Sequence, residues 1–269
     1  MFQGRLGEVD HWPGEFGVPV LIVSLKVHFV VDSRRGSLDR ALEALRDDTS
    51  VLHTCRMARY VLVHGGWHGG WCFRWLAEEL EARGHSVEAA DLPCEEVGLT
   101  PLDYAHVVGP QPDAIVVGHS LAGFTIPYID ARVRVYLAAL PPLERPLINE
   151  AFVETFGGTV SDFAGRSYWP DADIAALRMY PDCTRSQSDW AFSQLRLQAR
   201  LEPIPTVFGA GDIVIATLRD AAIDPGWQIR TARTHGARVI ELDSGHSPFL
   251  TQPSELADIL CSIDGAEIA

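Results

Sequence analysis

Val116-Val117-Gly118-His119-Ser120-Leu121-Ala122-Gly123 is the stretch that decides the fold. An apolar strand opening at Ala114 runs straight into a serine flanked by small residues, and a helix is expected from about Leu121. A serine on a sharp strand-to-helix bend presents its hydroxyl, and larger neighbours would collide with the bent backbone. The helix N-terminus behind it favours developing negative charge. The usual spacing of such a turn is GxSxG. Here the fifth position is Ala122, and glycine follows one place later as Gly123. Ser120 is therefore the candidate nucleophile, and the competing role for its hydroxyl is a helix cap.

The pattern repeats on both sides of this turn. Tyr60 to Val63 is a short apolar strand followed by the Gly-rich loop HGGWHGGW. A helix is expected over about Cys72–Arg83, stopped by Gly84. Ser86 to Leu92 reads as a strand, Leu102 to Val108 as a weak helix, and Arg132 to Ala139 as a further strand. The alternation breaks at Pro141-Pro142. From Leu143 to about Pro205 the chain reads as helical and aromatic, with no clear strand, as a lid inserted between two sheet strands would. After it come strands at Val214–Thr217 and Ala237–Leu242 and a closing helix at Ser254–Ile263. Strands separated by helices at this spacing specify βαβ units. The expected fold is α/β, a mostly parallel sheet of about six strands flanked by helices, with a helical lid.

Composition narrows the function. The 269 residues carry 22 Lys plus Arg against 36 Asp plus Glu, a formal charge of −14. That balance argues against nucleic-acid binding, which needs a basic face, and offers no polybasic route to anionic membranes. The longest apolar run, Val18 to Val31, is too short for a membrane helix and is interrupted by Ser24, Lys26 and His28. The five cysteines (Cys55, Cys72, Cys94, Cys183 and Cys261) are odd in number and form no CxxC pair. Such scattered single cysteines fit a reducing cytosol, and a cytoplasmic location is expected. Residues 1–56 stand apart as an N-terminal extension. They hold a β-rich run, VLIVSLKVHFVVD, and an amphipathic run, SLDRALEALRDD, capped by Ser37. Met57 opens MARYVLVHGG, which reads as a natural start for a domain over 57–269.

A serine needs a base to take its proton. His246, in Leu242-Asp243-Ser244-Gly245-His246-Ser247-Pro248, lies just past a strand, where a short loop returns to the C-terminal edge of a parallel sheet. His119 is expected to point away from the bend, and His85, His106 and His235 are read as surface or core residues. Two acids compete. Asp220 follows the Val214–Thr217 strand, ahead of a helix that can start at Pro225; Asp212 precedes that strand. The placement favours Asp220, and Asp212 stays open. Asp224 and Asp243 read as a helix cap and a loop residue. A tetrahedral intermediate needs two N–H donors; Leu121, after the nucleophile, and Gly66, in the first Gly-rich loop, are the candidates for an oxyanion hole. His64 and His68, four apart, would suit zinc on a helix, but the flanking glycines speak against a helix, and His64 reads as a brace for the loop. The chemistry calls for no metal and no organic cofactor.

The segments LVHGGWHGGWCFRWLAEELEARGHSVEAADL, VVGHSLAG, MYPDCTRSQSDWAFSQLRLQ, TLRDAAIDPGWQ and ELDSGHSPFLTQP together resemble the α/β-hydrolases, in particular the small lid-bearing branch of plant methylesterases, hydroxynitrile lyases and their bacterial esterase relatives. The resemblance runs from about Met57 to Ile263. It implies a triad of Ser120, Asp220 and His246, because TLRDAAIDPGWQ is similar to the stretch that carries the family's acid. IPTVFGAGDIVI is similar to the acid loop of more general α/β-hydrolases, which keeps Asp212 in play. The lyases carry a threonine after the loop histidine and a lysine beside the catalytic histidine; this chain has Gly65 and Ser247. The resemblance implies an ester substrate, and the aromatic residues expected in the lid suggest a small, partly apolar one. A lactonase, a lyase on the same triad, or a non-catalytic binding homologue are the alternatives. Ala122, the unmatched first 56 residues and a short segment between Leu92 and Ala114 depart from the family.

Overall fold

A computed structural model describes residues 57–154 and 156–265. The strand and helix expected in residues 1–56 lie outside the described residues. The body is a six-stranded sheet of β1 (Arg59–Val63), β2 (Ser86–Ala90), β3 (Gln111–His119), β4 (Ala131–Leu137), β7 (Asp212–Thr217) and β8 (Arg238–Leu242). Its order is β2-β1-β3-β4-β7-β8, and every neighbouring pair is parallel. The side-chain period of two splits each strand between two cores. Tyr60 and Leu62 of β1, Ile115 and Val117 of β3, and Ile213 and Ile215 of β7 face one layer. Val61, Val63, Val116, Val214 and Ala216 face the other. Because both faces are buried, these strands read as continuous apolar runs rather than as alternating ones.

Helices cover both layers. Helix α1 (Arg74–Ala82) turns Leu76 and Leu80 into the first core, beside Leu256, Ala257 and Leu260 of α8 (Pro253–Gly265). Helix α2 (Pro101–Val108) contributes Tyr104, Ala105 and Val108 to the second, with Trp227 and Ala232 of α6 (Pro225–Thr234). Local chemistry fixes their starts. Thr100 and Asp103 form a reciprocal capping box on α2. Asp224 accepts from the Trp227 amide and caps α6, with Pro225 at its first position. Helix α7 (Pro248–Thr251) is one turn, just after His246.

Two expectations need correction. No α-helix follows Ser120. The chain forms two short 3-10 turns, Ser120–Phe124 and Ile126–Tyr128, before β4 begins at Ala131. Pro127 is the physical reason: it has no N–H to donate and its ring would crowd the carbonyl four residues back. The segment between β4 and β7, expected to be a helical lid, is also not wholly helical. Besides α3 (Arg145–Asn149), α4 (Ala172–Met179) and α5 (Arg185–Gln194), it carries a small antiparallel hairpin, β5 (Val160–Ser161) with β6 (Ser167–Tyr168). Asp162 closes that hairpin by accepting from the amides of Ala164 and Arg166. No helix among the described residues is long and apolar enough to cross a membrane.

Candidate active site

Parallel strands deliver their C-terminal ends to one edge. Val63 of β1 lies in register with Gly118 of β3, and Thr217 of β7 with Leu242 of β8. The loops after these strands therefore converge, carrying His64 to His68, Ser120, Asp220 and His246.

Ser120 occupies the bend. Its φ is +53°, in the left-handed region that a residue with a Cβ adopts only when its surroundings enforce it. The enforcing contacts are visible. A Cβ at Gly118 would lie 2.7 Å from Ile126 Cγ2, and one at Gly123 would run into the Leu140 carbonyl oxygen. The Leu140 amide in turn donates to the Ser120 carbonyl at 3.0 Å. Gly123, not position 122, is where the backbone behind Ser120 needs a glycine. Ala122 has room for its methyl group in the core.

His246 is fully buried, and its Nδ1–H donates to Asp220 Oδ2 at 2.9 Å. That bond leaves Nε2 as the lone-pair nitrogen. Nε2 is buried, has no hydrogen-bond partner among the described residues, and is not bonded to Ser120 in this structure. Catalytic hydrogen bonds of this type are often long before substrate arrives. Asp220 is held from five directions. Oδ2 accepts from Thr217 Oγ1 (3.0 Å), Gln228 Nε2 (3.1 Å) and His246; Oδ1 accepts from the amides of Ala222 (2.8 Å) and Ile223 (2.9 Å). A buried carboxylate gripped by this many donors cannot rotate.

Asp212 is elsewhere. It is the first residue of β7, at the opposite end of the strand, and its carboxylate takes Arg134 Nε at 2.8 Å and the Gly209 amide at 2.9 Å. Six residues of strand span roughly 17 Å, so Asp212 and His246 belong to opposite edges. Asp224 is the helix cap expected of it. His119 does not turn away from the bend: it packs on His246, with ring centroids 4.7 Å apart, and its Nε2–H donates to the His246 carbonyl at 3.0 Å. Burial, with the neighbouring His246, pushes the His119 pKa well below the usual histidine value.

The first Gly-rich loop lies against the serine. A Cβ on Gly65 would sit 2.8 Å from Ser120 Cβ, so this backbone has no room for a side chain there. Two buried histidines hold the loop. His64 Nδ1–H donates to the Gly65 carbonyl at 2.9 Å, and its Nε2 accepts from the Leu92 amide at 2.9 Å. Asp91 lies 3.8 Å from that Nε2, but the Leu92 amide already occupies the lone pair, so the two are not an ion pair. Desolvation brings the His64 pKa down to about 4 and that of His68 to about 3. His68 Nδ1–H donates to the Gly66 carbonyl at 2.7 Å, and its Nε2 accepts the Tyr180 hydroxyl at 2.9 Å. With every ring nitrogen committed to the protein, neither histidine has a lone pair to offer zinc. The bracing role of His64 thus falls on a defined atom, the Gly65 carbonyl oxygen.

Sequence reasoning does not find Thr217, Gln228, Tyr180, Asp182 or Gln198. Thr217 and Gln228 are within its reach: each falls one short step along the chain from Asp220, three residues before and eight after. The others come from the segment inserted between β4 and β7, 60 or more residues away from what they touch, and no local pattern announces them.

The pattern of the Alpha/beta hydrolase family matches residues 60–259. The chain belongs to that family. This α/β hydrolase is 27% identical over 243 residues to a carbendazim hydrolyzing esterase of Nocardioides sp. (strain SG-4G), a match covering 77% of this chain and 100% of the relative. It is 25% identical to methylesterase 7 of Arabidopsis thaliana, over 76% of this chain and 95% of that one. A solved methylesterase structure from Arabidopsis superposes with a TM-score of 0.59 at 21% identity, covering 78% and 99% of the two chains. The structural likeness carries the fold; the sequence relatives set the hydrolase beside esterases.

Proposed function

We propose that this hydrolase is a serine carboxylesterase for a small, partly apolar ester, with Ser120 as nucleophile, His246 as base and Asp220 as the acid that orients it. One observation carries the reading: the buried His246–Asp220 bond stands at the same sheet edge as a serine forced into a positive-φ bend. In the proposed reaction Ser120 Oγ attacks the ester carbonyl as His246 Nε2 takes its proton. Asp220 holds Nδ1–H and stabilises the imidazolium. The carbonyl oxygen, now negative, is met by the N–H groups of Leu121 and Gly66. His246 returns the proton to the departing alcohol. Water then repeats the sequence on the acyl-enzyme. These steps use side chains and backbone amides of this chain.

The grip of His64 supports Gly66 as a donor. Gly65 C=O and Gly66 N–H belong to one planar trans peptide, so they point in opposite directions. A histidine that fixes the carbonyl also fixes the aim of the amide. Position 65 speaks for the esterase side as well, since a threonine there would strike Ser120 unless the loop moved. So does Ser247, whose hydroxyl is committed to the Met179 carbonyl at 2.8 Å.

The test is labelling with a fluorophosphonate followed by peptide mapping, together with turnover of short p-nitrophenyl esters, lactones and cyanohydrins. The proposal expects the label on Ser120 and the highest turnover on esters. An unlabelled Ser120 would point to a pocket that binds without turnover, and preferred turnover of a lactone or cyanohydrin would replace the substrate class while keeping the triad.

A further inference from the structure

Gly66 is a demanding choice for an oxyanion donor, because glycine has no side chain to restrict its own φ and ψ. Its amide stays aimed only if the peptide planes on both sides are held. The preceding plane is held from the body of the protein, by His64 and behind it the Leu92 amide. The following plane, Gly66–Trp67, is held from the lid. Its carbonyl accepts His68 Nδ1–H, and His68 in turn accepts the hydroxyl of Tyr180, at the end of α4. Its amide donates to Gln198 Oε1 at 3.3 Å. Next along the chain, the Trp67 carbonyl accepts the Arg196 amide at 2.7 Å. Trp67 itself has φ +64°, a conformation these bonds sustain.

We infer that Tyr180 is a positioning residue for the reaction, acting through His68 on the Gly66–Trp67 peptide and so on the Gly66 N–H; this rests on the carboxylesterase reading above. Both side chains are buried, Tyr180 at 2% and His68 at 0% exposure, so no water competes for the relay. The direction of each bond is fixed. The Gly66 carbonyl can only accept, so His68 carries its proton on Nδ1. Burial keeps the imidazole neutral, so Nε2 can only accept, and Tyr180 must donate. Burial also pushes the Tyr180 hydroxyl pKa well above its usual value, so that it keeps the proton it donates. The turn that carries Tyr180 holds the other half of the machinery too. Asp182 Oδ2 accepts the Gly245 amide at 2.7 Å and Ser244 Oγ at 3.2 Å, and the Met179 carbonyl accepts Ser247 Oγ, on either side of His246. A stretch of four lid residues, 179–182, thus bonds to both loops that the reaction requires.

The experiment uses the full chain and three variants: Tyr180→Phe, His68→Asn and the double substitution. Phenylalanine keeps the ring and removes only the donor. Asparagine at 68 can still donate to the Gly66 carbonyl but cannot reach Tyr180. Each single variant should lower kcat for a p-nitrophenyl ester about tenfold, a share of what losing one oxyanion donor costs, with KM little changed. Phenylboronic acid, which adds to the serine and places an oxygen in the oxyanion hole, should bind more weakly by a similar factor. The double variant should be no worse than either single one, because both cut the same relay. Wild-type kcat and boronate affinity in Tyr180→Phe, or losses that multiply in the double variant, would overturn the inference. A merely structural tyrosine would lower the Tm and leave both readouts unchanged; that result also overturns it. Should Tyr180→Phe fold poorly, His68→Asn decides the question through the same two readouts. Fluorophosphonate labelling of wild type separates the two levels: with Ser120 labelled, unchanged kcat and boronate affinity in the variants remove only the relay, whereas an unlabelled Ser120 removes the esterase reading and the relay with it.

Discussion

Strand β7 has a buried aspartate at its start and another just beyond its end, and the surroundings give the two carboxylates different partners. Asp212 is paired with the Arg134 guanidinium and caps the Gly209 amide. Among the described residues, Asp220 accepts from neutral donors and one imidazole. A carboxylate already satisfied by arginine gains little from a histidine that charges, whereas one ringed by neutral dipoles stabilises that charge directly. Residue type and burial are the same at both ends. Position along the strand decides, because a parallel sheet gathers loops of one kind at its C-terminal edge and leaves the other edge to structure.

The contrast can be broken at several points. Ser120→Ala should cost the most, about 10⁵-fold or more in ester turnover, with an unchanged melting temperature; turnover near wild type would remove the nucleophile from the C-terminal edge. Asp220→Asn keeps the shape and loses the charge, and kcat should fall by about 10⁴-fold. The matching change at the other end, Asp212→Ala, should leave kcat alone and destabilise the fold by about 3 kcal/mol, since it strands a half-buried arginine. A rate loss in the Asp212 variant with full activity in the Asp220 variant would reverse the assignment.

A further effect concerns pH. His64 and His68 are neutral in the folded protein, with pKa values brought down to about 4 and about 3 by burial, against roughly 6.5 in the unfolded chain. Between those values the unfolded state binds more protons than the folded one. Stability should therefore be full above about pH 6.5 and decline as pH falls toward 4, on the order of 2 kcal/mol for each histidine at pH 5. Urea titrations at pH 7 and pH 5 measure it. Unequal losses in His64→Asn and His68→Asn backgrounds would apportion the loss between the two.

Much of this is legible in the sequence because the signals are local. Apolar runs bounded by glycine and proline mark the strands, and Pro225 behind Asp224 marks the first residue of α6. The choice between Asp220 and Asp212 is legible only as a preference: nothing near Asp212 in the sequence reveals that Arg134, 78 residues earlier, occupies it. The β5–β6 hairpin escapes because strands of two residues contain no period to detect. A helix after Ser120 is a false expectation because the small residues that permit the bend are also compatible with a helix, and only Pro127 speaks against it. The direction of His119 is illegible for a related reason, since it depends on a loop from the far end of the chain.

Gly123 has a practical consequence for finding proteins of this kind. What the bend requires is an uncluttered Cα wherever the neighbouring loop's carbonyl approaches, here that of Leu140. A search pattern that insists on glycine two places after the serine would pass this chain by. One that allows any small residue there, and asks instead for glycine at whichever of the next positions meets the adjoining loop, would recover it.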